Sequence, residues 1–146
     1  VNKKILALVA LIASVLSAPL YARDDIGAYN INEALSTPDA KAKLGGSVKF
    51  YFGEQKHGKV ARDFGEFKTN KKTNAFNKSD KQACEWVFLS AMIALQDRAM
   101  REGANAVVDI KSNYKNNLTS SESTFQCGAG TFVAGVALTG KVVTLK

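Results

Sequence analysis

Between Ser79 and Ile110 apolar positions repeat first at helical spacing and then, past Gly103, at the alternating spacing of a strand. Ser79 stands at the N-cap position with Gln82 three residues on, the spacing at which side chains and backbone satisfy each other's orphan groups, and Gly103 follows the last turn. On a wheel turning about 100° per residue, Cys84, Val87, Phe88, Ala91, Leu95 and Ala99 share one sector, as a face lying on a sheet requires. Trp86, Leu89, Ile93 and Met100 form a second stripe on the opposite side, and Glu85, Asp97, Arg98 and Arg101 occupy the rim between them. A helix with two apolar faces needs cover on both. The second stripe is expected under the N-terminal arm of the same chain, at a subunit interface, or along a groove for a lipid or peptide.

The remaining elements are shorter. Residues 23–35 read as a weakly patterned, partly extended arm anchored by Ile26, Ile31 and Leu35. Thr37 and Pro38 open a helix of two turns at most, ended by Gly45 and Gly46. Val48, Phe50 and Phe52 alternate on one side of a strand. A second strand carries Val60, Arg62 and Phe64 in phase until Gly65 breaks it, and Phe67 takes the opposite parity, which predicts a glycine bulge. So short a connection makes the two strands expected antiparallel neighbours. Residues 69–78, rich in asparagine and lysine around Phe76, read as an exposed loop leading to the helix cap, either a basic lip for an anionic partner or a solvated loop with Phe76 tucked in. After Gly103, Ala106, Val108, Ile110, Ser112 and Tyr114 share one strand face, with Val107, Asp109, Lys111 and Asn113 on the other. A turn over 115–121, a strand from Ser123 to Cys127, and a final glycine-punctuated run that is one long bent strand or two with a tight bend complete the chain. The fold class is α+β: one long helix on a mainly antiparallel sheet, with a short N-terminal helix.

The first residues change the setting. Lys3 and Lys4, an apolar run from Ile5 to Leu16 and a small-residue end at Ala22 have the layout of a bacterial secretory signal peptide, with cleavage expected after Ala22 and Ala18 as the weaker site. Residues 1–22 are then a leader and 23–146 a single domain in the periplasm or secreted. Loss of the two leader lysines takes the formal charge from +7 to +5. The lysines are spread along the chain, and only Lys68, Lys71, Lys72, Lys78 and Lys81 form a local cluster. Nucleic acid binding needs cations on one face with aromatic platforms between them, so no nucleic acid partner is expected. Anionic envelope components suit the charge better. In an oxidising compartment Cys84 and Cys127 are expected to form a disulfide, although both lie on apolar faces where two buried thiols would also fit.

Catalytic chemistry is sparse. His57, the one histidine, falls in a predicted turn with no second ligand near it in sequence, and is expected at the surface. Asp24 and Asp25 form the first acidic pair of the expected mature chain, the other carboxylates are scattered, and no serine sits in a nucleophile elbow. Gly135 to Lys141 spells GxxxxGK, but Val142 stands where a phosphate-binding loop needs Ser or Thr, and no helix can start there. No enzymatic activity, cofactor, metal or nucleotide is expected.

The run ALQDRAMREGANAVVDIKSNY and the later VAGVALTGKVV resemble a family of small bacterial domains called heavy-metal-binding-like or YbjQ-like, similar in fold to the sensor lipoprotein of the Rcs envelope-stress pathway. The resemblance covers Asp80 to Val143. It implies a helix on a mainly antiparallel sheet, ring-like oligomers in cytoplasmic relatives, and a structural turn at Gly103, Ala104, Asn105 and Ala106. The chain departs from the family at Gly135–Leu138, at the strand after GAN, and in its cysteine pair. The expected function is that of an exported, non-catalytic envelope module binding a protein or an envelope polymer, with a possible homo-oligomer. The alternative is a periplasmic protein holding a small ligand or metal. The candidate contact residues are Trp86, Leu89, Ile93, Met100, Lys68, Lys71 and Lys72.

Overall fold

A computed structural model describes residues 23–146; the leader expected at 1–22 lies outside the described residues. The elements in chain order are β1 (Asp25–Asn30), α1 (Ile31–Leu35), α2 (Pro38–Lys43), β2 (Lys49–Phe52), β3 (Val60–Asn74), α3 (Asp80–Glu102), β4 (Ala106–Tyr114), β5 (Asn117–Thr119), β6 (Thr124–Ala129) and β7 (Val133–Leu145). The fold is α+β, with α3 lying on a mostly antiparallel sheet.

Strand β7 is the spine of the sheet. One edge pairs with β3 from Asn74 opposite Val133 to Val60 opposite Leu145. The other is shared by β6, through Gly128–Gly135 and Ala129–Ala134, and by β4, from Ala106–Val143 to Ser112–Leu138. β1 adds antiparallel to β6, and β5 returns antiparallel on the end of β4.

Helix α3 forms for the reasons its sequence gives. The Ser79 hydroxyl accepts the Gln82 N–H at 3.1 Å, and Gly103 takes the left-handed conformation at φ 72° that ends the helix. Its inner face buries Cys84, Val87, Phe88, Ala91, Leu95 and Ala99, together with Met92, one turn beyond Phe88. These side chains meet Val107 and Ile110 of β4, Phe125 of β6, and Val136, Leu138 and Val142 of β7 in one core. Phe88 stacks on Phe125 with ring centres 4.0 Å apart, and Phe52 and Tyr29 close the cluster at 6.1 and 5.8 Å. The disulfide joins Cys84 on the first turn of α3 to Cys127 on β6 across 43 residues of chain, with Cα atoms 5.9 Å apart, inside this core.

Several expectations need correction. β2 and β3 are not neighbours: β2 pairs in parallel with β4, and β3 with β7. The backbone of β2 pairs laterally with β4, which sets Phe52 in the main core, and β3 lies along the far edge of β7. The basic segment 69–78 is not a loop, because its first six residues continue β3 to Asn74. The bulge near Gly65 is present, with Gly65 at φ 101° and a register shift between Asp63 and Glu66. A second bulge was not foreseen. Asp109 sits at φ 53°, the register shifts between Val108 and Lys111, and the strand changes phase. Val107 and Ile110 therefore enter the main core, whereas Ala106 and Val108 pack with Val143 in a smaller cluster. The segment after Tyr114 is a hairpin: Lys115 and Asn116 both have positive φ, and Asn117–Thr119 forms β5. The arm at 23–35 holds a strand and a short helix capped by Asn30.

The disulfide closes a long loop, so its reduction should lower the unfolding free energy by about 2–4 kcal/mol on the chain-entropy account. Denaturant melts of oxidised and reduced protein measure the difference; coincident midpoints would contradict it.

Candidate functional site

Two lysines of the expected loop, Lys71 and Lys72, stand with Lys68 on a strand with one open side. Along β3 after the bulge, Phe67 packs on the main core, and Thr69 and Thr73, of the same parity, are half-buried; Lys68, Asn70 and Lys72 alternate with them and are exposed. Where β3 runs beside α3, a groove of about 330 Å³ is lined by Phe67, Lys68 and Lys71 of β3 and by Leu95, Arg98 and Arg101 of α3. The Arg98 guanidinium carbon lies 3.9 Å from the Phe67 ring centre, a cation–π contact that holds the head group over the groove floor. Arg98 Nε is 3.2 Å from Glu102 Oε1, but this nitrogen makes no hydrogen bond, so the contact is an electrostatic one that leaves the donor unused. Lys71, Arg98 and Arg101 thus face the groove, Lys68 borders it at the strand edge with its side chain on the opposite face, and Glu102 opposes Arg98.

Lys72 lies at the other end of the same edge, in the field of Asp24. Asp24 is tied to the β4–β5 hairpin by an ion pair with Lys115 and by the Tyr114 hydroxyl, which donates to it at 3.0 Å. The Lys115 ammonium, followed by the Tyr114 hydroxyl, holds the Asp24 carboxyl below its ordinary value. Burial and then the neighbouring Asp24 raise the Tyr114 phenol. Tyr114 lies across Gly128, where any side chain would collide with its ring. Next to Asp24, Arg23 donates to Asp80 at 2.9 and 3.0 Å and to Asp25 at 2.8 Å, and so fastens the start of the described chain to the first turn of α3.

The second stripe of α3 does not act as one surface. Leu89 is 4% exposed and Ile93 half-buried, whereas Trp86 and Met100 are 43% and 57% exposed at points nearly four turns apart. The N-terminal segment reaches part of this side: Lys43 places its ammonium 4.7 Å from the Trp86 ring centre, and its carbonyl accepts from Gln96 Nε2 at 3.1 Å. An open groove of about 540 Å³ remains between the start of α2 and the start of α3, bounded by Thr37, Asp39, Gln82, Glu85, Trp86 and Leu89.

Phe76 is not tucked in. It is 52% exposed and stacks at 5.7 Å on Phe132, which is 65% exposed, at the turn where Ala75 N–H donates to the Phe132 carbonyl. Asn105 acts on the C-terminal strand rather than on the helix end: its Oδ1 accepts Leu145 N–H at 2.7 Å, and its Nδ2 donates to the Leu145 carbonyl at 3.1 Å. His57 is exposed, with Nδ1 2.7 Å from the Gly58 carbonyl. Among the described residues, no three His, Cys, Asp or Glu side chains are gathered as a metal would need.

The structure therefore brings Lys71 together with Arg98 and Arg101 of the helix rim, with Lys68 at the adjoining strand edge. The spacing of the two arginines on the helix was visible. What was missing was that β3 passes beside them. Comparison of the chain with protein-family models, with curated proteins and with solved structures found no match.

A carboxyl held below its ordinary value contributes stability that is present above that value and is lost as pH falls through the folded one. The Asp24 tie to Tyr114 and Lys115 should therefore persist at neutral pH and release only below the ordinary carboxylate range. NMR titration of Asp24 with amide exchange in β5 reads this directly, and Asp24→Asn should flatten the response. Asp24 titrating above its ordinary value would contradict the assignment.

Proposed function

We propose that this protein is an exported, non-catalytic module of the cell envelope that binds an envelope protein or an anionic envelope polymer where β3 meets α3. The observation that carries the reading is the convergence of Lys71, Arg98 and Arg101 on one groove, with Lys68 at its strand edge. Cations gathered beside an open strand edge steer an oppositely charged partner and fix its register. The buried Cys84–Cys127 bond supports an oxidising compartment, the periplasm or the exterior, and so a leader ending at Ala22. Kinship with the YbjQ-like domains, through Gly103, Ala104, Asn105 and Ala106, belongs to the same proposal.

A second reading, a small-ligand protein, is favoured by the groove at Trp86, where one aromatic ring, Leu89 and a few polar groups face a common space.

The mature domain, immobilised and exposed to an envelope extract, should retain a partner that elutes as salt is raised. Combined Lys71→Glu and Arg101→Glu substitution should reduce retention about tenfold or more, as loss of complementary charge does. Retention of nothing, with a small molecule bound in native mass spectrometry and lost on Trp86→Ala, would replace the first reading by the second.

A further inference from the structure

The pairing phase of β3 identifies which of its backbone groups are unused. Ala75 N–H donates to the Phe132 carbonyl at 2.8 Å, and these two residues continue the register in which Asn74 faces Val133. Hydrogen-bonded and non-bonded pairs alternate along an antiparallel ladder. Thr73, Lys71, Thr69 and Phe67 therefore turn their N–H and C=O groups toward β7, and Asn74, Lys72, Asn70 and Lys68 turn theirs to the open side. The Lys78 ammonium takes the Asn74 carbonyl at 2.9 Å. Lys72, Asn70 and Lys68 remain, three successive edge positions on a stretch from Glu66 to Asn74 that no bulge interrupts. β3 pairs with no strand other than β7 among the described residues.

An unprotected edge of this kind is a template for another strand, and natural sheets commonly guard it with lysine. Here the guard is also a selector. Two copies of this edge would set Lys68 and Lys72 against lysines of the other chain, and like charges directly opposed are unfavourable. A strand bearing carboxylates meets the reverse situation on both faces: Lys68 and Lys72 on the face away from α3, Lys71, Arg98 and Arg101 on the face toward it.

We propose that the open edge of β3 binds an extended acidic segment of a partner protein by strand addition. The segment's backbone completes the hydrogen bonds of Lys68, Asn70 and Lys72, and its alternate carboxylates enter the groove beside Arg98 and Arg101. This rests on the reading that the face of β3 and α3 binds an anionic partner, and adds the class of partner and the way it is held.

The test uses the disulfide-bonded chain and a blocked peptide of about nine residues, a typical strand length, alternating glutamate and valine. Amide exchange should slow at Lys68, Asn70 and Lys72 and stay unchanged at Thr69 and Lys71. Methylating the alternate peptide nitrogens that face β3 removes the ladder bonds at constant charge, and should weaken binding about tenfold or more. Asn70→Pro removes an edge N–H without touching the β7 ladder, and should do the same with the fold retained. If the methylated peptide and inorganic polyphosphate bind as well as the parent, with no protection at the three amides, the groove is a polyanion site. Strand addition is then overturned, and the wider reading stands. If neither peptide nor polyphosphate binds the folded protein, both are overturned.

Discussion

Fixing the first turn of α3 against β6 is the constraint on which the rest of the structure depends. The Cys84–Cys127 bond lies inside the cluster formed by Phe88, Phe125 and Ile31, so the start of the helix, the penultimate strand and the N-terminal segment share one packed centre. From there the helix can lie only along β7 and β3, and its far end is set by Gly103, where the chain turns down into β4. Asn105 then bonds both backbone groups of Leu145, so the exit from the helix holds the end of the spine strand as well. Arg98 and Arg101 face the edge of β3 because both ends of the helix are pinned.

Much of this was legible in the sequence, wherever a signal was local. The Ser79 cap, the Gly103 stop, the inner face of α3, the Thr37–Pro38 start of α2 and the bulge at Gly65 follow from side-chain chemistry and backbone preference over a few residues. What was not legible depended on partners distant in the chain. Nothing local tells β2 to pair with β4 instead of β3. A lysine- and asparagine-rich stretch reads as loop by propensity, yet it becomes strand because β7 offers thirteen residues of ladder for it to complete. The bulge at Asp109 replaced a simple alternation by a phase change, since an aspartate in the left-handed region leaves only a weak mark in sequence.

The candidate site was half visible for the same reason. Lys68, Lys71 and Lys72 stood out by composition, but the role of Lys71 and Lys72 changes once they stand on an open strand edge instead of a loop. The Trp86 stripe, prominent on a helical wheel, dissolves in the structure because Leu89 is covered and Met100 lies far along the axis from Trp86. The groove at Trp86 is left as a separate, open feature.

The proposed oxidised, exported binding module is tested most directly by the intact mass of the protein recovered from the cells that make it. The predicted mass is that of a chain beginning at Arg23, two hydrogens lighter than its reduced form and shifted by alkylation only after reduction. A chain retaining residues 1–22, with Cys84 and Cys127 both free to alkylate, would contradict it.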